Sequence, residues 1–272
     1  MSHFWVLAFC WFLPGLVVGS FLNVVIHRLP RMLAMDISAQ PYNLAHPRSH
    51  CPHCQTPLAL RHNVPLLSFL WLRGRCASCH GPISWRYPLV EAGNALVWMA
   101  CGILLPLGPH ASVEAALAWA CAGSLLLTLA VIDWETTLLP DSLTQPLLWL
   151  GLWGAEMGWS GLSLSTALWG ALVGYSSFAL VAFVFERVTG QEGLGAGDFK
   201  LLAALGAWLG PLPLIPLVFL AASSGAGVGL VLRARGQLRE GRYVPFGPFL
   251  ALAAGVLVAF GPSKVLHWIG LA

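Results

Sequence analysis

Eight stretches of nearly uninterrupted apolar sequence, each closed off by Pro, Gly or charge, constrain this chain more than any other feature. They run over residues 4–27, 88–107, 113–132, 142–158, 162–185, 199–211, 212–232 and 245–262. About 20 apolar residues match the hydrocarbon thickness of a bilayer, where a helix satisfies all of its own backbone polar groups. Charged residues make up only 9% of the 272, against roughly 25% in a soluble domain. The sequence therefore predicts an all-α polytopic membrane protein with about eight transmembrane helices. The sixth run is the weakest of these, because Leu201 to Gly210 is short and Pro211, Pro213 and Pro216 break up the residues just beyond it. It is expected either to tilt or to enter a cavity lined by protein.

The basic residues set the orientation. Seven of the 14 Lys and Arg lie between Arg28 and Arg86 and four between Arg233 and Arg242, opposed locally only by Asp36 and Glu240. The positive-inside rule makes both segments cytoplasmic. The first run has no basic residue ahead of it and no clear small-residue cleavage site, so it reads as a retained span that starts outside. The expected organisation is a first transmembrane helix over residues 1–27, a cytoplasmic loop domain over 28–87 and a transmembrane core over 88–272. Eight crossings would return the C-terminus to the outside.

A loop of about 60 residues is too small to build a strong core unaided. Its staple is visible in "CPHC" and "CASC", which supply Cys51, Cys54, Cys76 and Cys79. Four thiolates from two C-x-x-C knuckles match tetrahedral zinc, and a cytoplasmic location disfavours disulfides. With all four positions filled by protein, the metal would be structural. Two redox-active pairs are the competing reading, and His50, His53 and His80 stand close enough in sequence to replace a ligand. Cys10, Cys101 and Cys121 stand alone in apolar segments and read as packing residues.

Two acids are harder to explain as packing. Asp133 ends the third run, and Asp198 opens the sixth in "GLGAGDFKLL". Following the alternation of spans, both fall at the cytoplasmic face at similar depth. Paired carboxylates in a low-dielectric site share a proton, so that one activates water while the other protonates a carbonyl or leaving group. Gly195 and Gly197 would permit a turn with positive φ and the close approach of a substrate backbone. Spacing alone leaves other roles open: a helix-end residue for Asp133, a first-turn acid for Asp198 and a snorkelling side chain for Lys200. Asp141, in "LLPD", competes with Asp133 and also reads as a helix start.

The order of segments resembles the type IV prepilin leader peptidases, bacterial inner-membrane aspartic proteases of the G-x-G-D type. The resemblance runs through "GSFLNVVIHRLP", the two knuckles, "NVPLLSFLWLRGRC", "PISWRYPLVE", "IDWETTLLPDSLT", "GLGAGDFKLLAALGAWLG" and "PFGPFLA". It implies that Asp133 pairs with Asp198, with Gly195, Gly197 and Lys200 as the supporting motif. It also implies cleavage of prepilins or pseudopilins after Gly at the cytoplasmic face. The four-cysteine loop is similar to that of the bifunctional members, which then methylate the new N-terminal residue from S-adenosylmethionine. Glu91, at the end of "PLVE", matches the family as a membrane-edge acid. Two departures are small: Ala196 stands where a bulkier residue is common, and Trp134 and Glu135 follow Asp133. The expected partners are the pilin precursors and membrane lipid, with no nucleic acid.

A second class of function, a proton-coupled transporter, also uses intramembrane acids and broken helices. It predicts carboxylates near the bilayer midplane and two related halves. The sequence shows instead two acids at one face and no convincing internal repeat. A zinc-stapled scaffold without chemistry would leave the acid pair and its glycines unexplained.

Overall fold

The computed structural model describes residues 2–34, 42–104, 112–191, 193, 195–237, 244–268 and 270. Asp36, Arg239, Glu240 and Arg242, which entered the charge argument, lie outside the described residues, as do Glu192 and Leu194 of the glycine-rich segment.

Among the described residues the secondary structure is helical, apart from two isolated bridges in the cysteine loop. The helices are α1 (Ser2–Ala34), α2 (Leu67–Trp71), α3 (Arg86–Leu104), α4 (Val113–Thr136), α5 (Asp141–Glu156), α6 (Leu164–Thr189), α7 (Ala196–Leu209), α8 (Leu214–Ala234), α9 (Gly247–Phe260) and α10 (Pro262–Trp268). A helix lies at each of the eight predicted runs, but not all are long enough to cross a bilayer. Five pass on length and composition (α1, α3, α4, α6 and α8), or six if α9 and α10, bent by 108°, count as one broken span. Helix α7 has 14 residues, about 21 Å at 1.5 Å per residue, against about 30 Å of hydrocarbon.

The chain divides into two compact units, residues 1–124 and 125–272. In the first, α1 packs on α3 through a G-x-x-x-G pair. A Cβ added at Gly15 would come 2.7 Å from the Ala95 Cα, and one at Gly19 2.8 Å from the Glu91 Cα. Small residues let two backbones meet where lipid supplies no hydrophobic drive. Buried polar groups close this interface: Asn94 Nδ2 donates to the Gly15 carbonyl at 2.8 Å, the Ser124 hydroxyl to Asn94 Oδ1 at 2.7 Å, and Trp98 Nε1 to Ser124 Oγ at 2.9 Å.

The second unit is organised around α7. Every residue from Leu201 to Trp208 is buried, which is the signature of a helix enclosed by protein rather than lipid. It lies against α6 at Gly170 and Gly174 and against α5, where Trp208 Nε1 donates to the Leu147 carbonyl at 2.9 Å. Of the two expectations for the sixth run, enclosure by protein is the one observed. The helix stops at Gly210, which has φ 82°, and Pro216 falls in the first turn of α8, where a missing N–H costs least.

Candidate active site

Asp133 sits in the last turn of α4, 5% exposed. The helix ends just beyond it because Thr137 takes a left-handed conformation, φ 58°, with its N–H on the Asp133 carbonyl. The strap from Leu138 to Pro140 then leads into α5 at Asp141, where the sequence placed a helix start. The Asp133 carboxylate accepts a hydrogen bond from the Gly247 N–H at 2.8 Å. That N–H belongs to the first turn of α9, where backbone donors lack helical partners and the dipole favours an anion.

Asp198 sits in the first turn of α7, half-buried. Its N–H donates to the Gly195 carbonyl at 3.0 Å, and the two acids lie close enough for the charge of Asp133 to act on Asp198. Leu139 links the elements that carry them. A Cβ at Gly197 would come 2.8 Å from the Leu139 Cβ, and one at Gly247 3.2 Å from the Leu139 Cδ2. The fold thus brings α4, α7 and α9 together at one strap.

The two glycines of G-x-G-D depart from the expected geometry. Gly195 has φ −71° and Gly197 lies inside α7, so neither adopts the expected positive φ. What Gly197 supplies is room for Leu139. A left-handed glycine lies just ahead of the segment instead, at Gly190, φ 68°, which ends α6.

Asp141 and Lys200 are partners. The Lys200 ammonium donates to both Asp141 carboxylate oxygens, at 2.6 and 2.8 Å. Asp141 is 59% exposed. The pair ties the start of α5 to the start of α7, giving Lys200 a role other than snorkelling.

In the loop, the four cysteine sulfurs lie within 4.8 Å of one another, with Cys51 to Cys79 at 3.8 Å and Cys54 to Cys76 at 4.0 Å. Tetrahedral zinc with bonds of ~2.3 Å requires sulfurs about 3.8 Å apart, so the donor set fits. The two knuckles repeat one another locally. Gln55 and His80, each four residues after its first cysteine, have φ 59° and 57°. The bridges His50 to Pro57 and Arg75 to Pro82 close both turns in the same register.

Hydrogen bonds from Thr56, the hydroxyl first and then the N–H, draw the Cys54 thiol down to about 6. The Gly81 N–H draws Cys79 the same way, but desolvation and the three neighbouring thiols outweigh it and push that group up to about 11. Four sulfurs so gathered can all be thiolate only around a cation.

The model of the Bacterial Peptidase A24 N-terminal domain matches residues 13–105, and that of the Type IV leader peptidase family matches 120–230. The chain is 43% identical to a prepilin leader peptidase/N-methyltransferase of Aeromonas hydrophila, over 94% of this chain and 91% of that protein. The chain belongs to the type IV leader peptidase family. Proteins of the same name from Burkholderia pseudomallei (strain 1026b), 46% identical over 91% of this chain and 83% of theirs, and from Pectobacterium carotovorum subsp. carotovorum, 48% over 88% of each, agree. No solved structure matches the chain. Nothing in the leader peptidase assignment favours the transporter reading.

Gly247 is the member of this site that the sequence did not reveal. It stood in "PFGPFLA" as part of the resemblance, with no chemistry attached. A glycine before Pro at the start of an apolar run was the available signal, because a helix start presents free N–H groups.

Proposed function

We propose that the protein is a multi-pass aspartic endopeptidase of the bacterial inner membrane. It cuts the leader from type IV prepilins or pseudopilins after Gly at the cytoplasmic face, then N-methylates the new terminal residue. The observation that supports the reading is the hold of the Gly247 N–H on Asp133, with Asp198 at the start of a buried helix near enough to feel its charge.

Two such acids hold one proton between them. The ionised member takes a proton from water as that water attacks the scissile carbonyl, and the protonated member gives its own to the carbonyl oxygen. Collapse of the adduct breaks the C–N bond, and the leaving amine takes up a proton. Asp133 rather than Asp141 fills the first role, because Asp133 is buried with a backbone donor while Asp141 is exposed and engaged by Lys200.

The new terminal amine then takes the methyl group from the sulfonium of S-adenosylmethionine. The nitrogen gains the N–C bond and loses a proton, and the bonding electrons stay on sulfur. Zinc on Cys51, Cys54, Cys76 and Cys79 would hold the loop in shape and leave no position open for chemistry. The test is to incubate the protein with a prepilin and S-adenosylmethionine and to sequence the product by mass spectrometry. A cut after Gly with a methylated new terminus is expected, and a cut elsewhere would overturn the reading.

A further inference from the structure

Helix α2 is built inside out for a helix in water. Leu67, Leu70 and Trp71 are 65%, 69% and 74% exposed, and at positions i, i+3 and i+4 they share one face. The polar residue turns inward instead: Ser68 is buried, its hydroxyl donating to the Arg61 carbonyl and accepting the Val64 N–H, both at 3.0 Å. A surface helix in water shows the reverse pattern.

Two contacts set the depth of this helix. Its neighbour α3 has 19 residues, which rise about 28 Å, so the whole of α3 is needed to cross about 30 Å of hydrocarbon and its first residue stands at the bilayer's edge. Glu91 lies five residues further on, about 7.5 Å along the axis, and its carboxylate accepts the N–H of Leu66, just ahead of α2, at 2.8 Å. The second contact is aromatic. The Phe69 ring lies 4.9 Å from that of Trp85, whose carbonyl accepts the Leu89 N–H at 3.1 Å and so begins α3. Trp85, Leu89 and Leu96 are exposed and, spaced by four and seven, follow one face of α3. That face meets lipid, and Trp85 stands at its outer end, the interfacial level at which Trp is enriched.

Charge completes the pattern. Arg61, Arg73 and Arg75 are exposed on either side of α2, and no Asp or Glu stands between Asp36 and Glu91. Such a flank is attracted to anionic lipid, while Leu and Trp beside it enter the boundary between headgroups and acyl chains by about 5–10 Å. A second copy of the chain fits this face poorly, because three side chains and a tryptophan fall far short of the roughly 20–30 residues a side of a stable protein interface. We propose that α2 and Trp85 anchor the cysteine loop in the leaflet on the loop's own side, with Leu67, Leu70 and Trp71 among the acyl chains and the three arginines at anionic headgroups. The loop is thereby seated on the membrane.

The test uses the full-length protein in nanodiscs of phosphatidylcholine and phosphatidylglycerol in equal parts, a fraction of the acyl chains carrying a photoreactive diazirine. After illumination and digestion with trypsin, mass spectrometry should find lipid on the peptide 62–73 and not on 49–61, which carries the first knuckle. Leu70→Glu and Trp71→Glu should each lower the label on 62–73 at least fivefold, with the label on α3 and the elution profile unchanged. Phosphatidylcholine alone should lower it at least twofold; equal labelling there would overturn the role given to the arginines. The wild-type map decides even if a glutamate variant misfolds. Label on α3 but not on 62–73, label spread equally over 49–61 and 62–73, or residues 67–71 cross-linking to a second copy in place of lipid would each overturn the anchor.

Discussion

Replacing Gly247 with Ala would test how far the acid pair depends on the start of α9. The new Cβ would lie 2.7 Å from Asp133 Oδ2, well inside the ~3.3 Å of the closest carbon–oxygen contacts. The backbone offers little relief, since the same Cβ would come 3.2 Å from the Leu139 Cδ2. Either the carboxylate swings away or α9 recoils, and in both cases the 2.8 Å bond from the Gly247 N–H stretches or breaks. A hydrogen bond to a charged group contributes about 1.5–3 kcal/mol. If that bond holds Asp133 in its reacting position, its loss slows cleavage about 10- to 150-fold, at 1.36 kcal/mol per factor of ten. Gly255→Ala in the same helix is the control, because a Cβ there meets nothing within 4 Å. The assay is the initial rate of leader removal from a prepilin in detergent, read by the shift in product mass. Gly247→Ala cleaving within twofold of the wild type would refute the reasoning.

The same geometry sets the expected effect of two further perturbations. Asp141→Asn and Lys200→Ala break an exposed ion pair of the kind that contributes at most about 1 kcal/mol. Their cleavage rates in that assay should fall by less than about tenfold, and complete loss in Asp141→Asn would return Asp141 to the catalytic role. Cys51→Ser and Cys76→Ser each remove a buried sulfur from the tetrahedral set. Metal analysis of the purified protein should show zinc lost from both variants, with the loop opened to limited proteolysis; full zinc occupancy in either would contradict a four-cysteine site.

The helices were legible because long apolar runs between breakers admit little else in a bilayer, and the cysteine knuckles because two C-x-x-C pairs carry their own geometry. The features that escaped depend on contacts between segments distant in sequence. For helix α7 the sequence left a tilted span and an enclosed helix both open, and what decides between them is its contact with Gly170 and Gly174 on α6 and with the Leu147 carbonyl on α5. The Gly247 N–H reaches Asp133 across 114 positions, and no local pattern encodes that. The glycines of G-x-G-D drew notice for the wrong reason: the sequence suggested positive φ, whereas Gly197 is needed for its missing side chain beside Leu139.

The central proposal is that Asp133 and Asp198 perform the cleavage together. The most direct measurement is the intact mass of a prepilin co-expressed in membranes with the wild type, Asp133→Asn or Asp198→Asn, the three enzymes accumulating equally. A mature, methylated pilin is expected with the wild type and an uncut precursor with either variant. Substantial leader removal by either asparagine variant would contradict the claim.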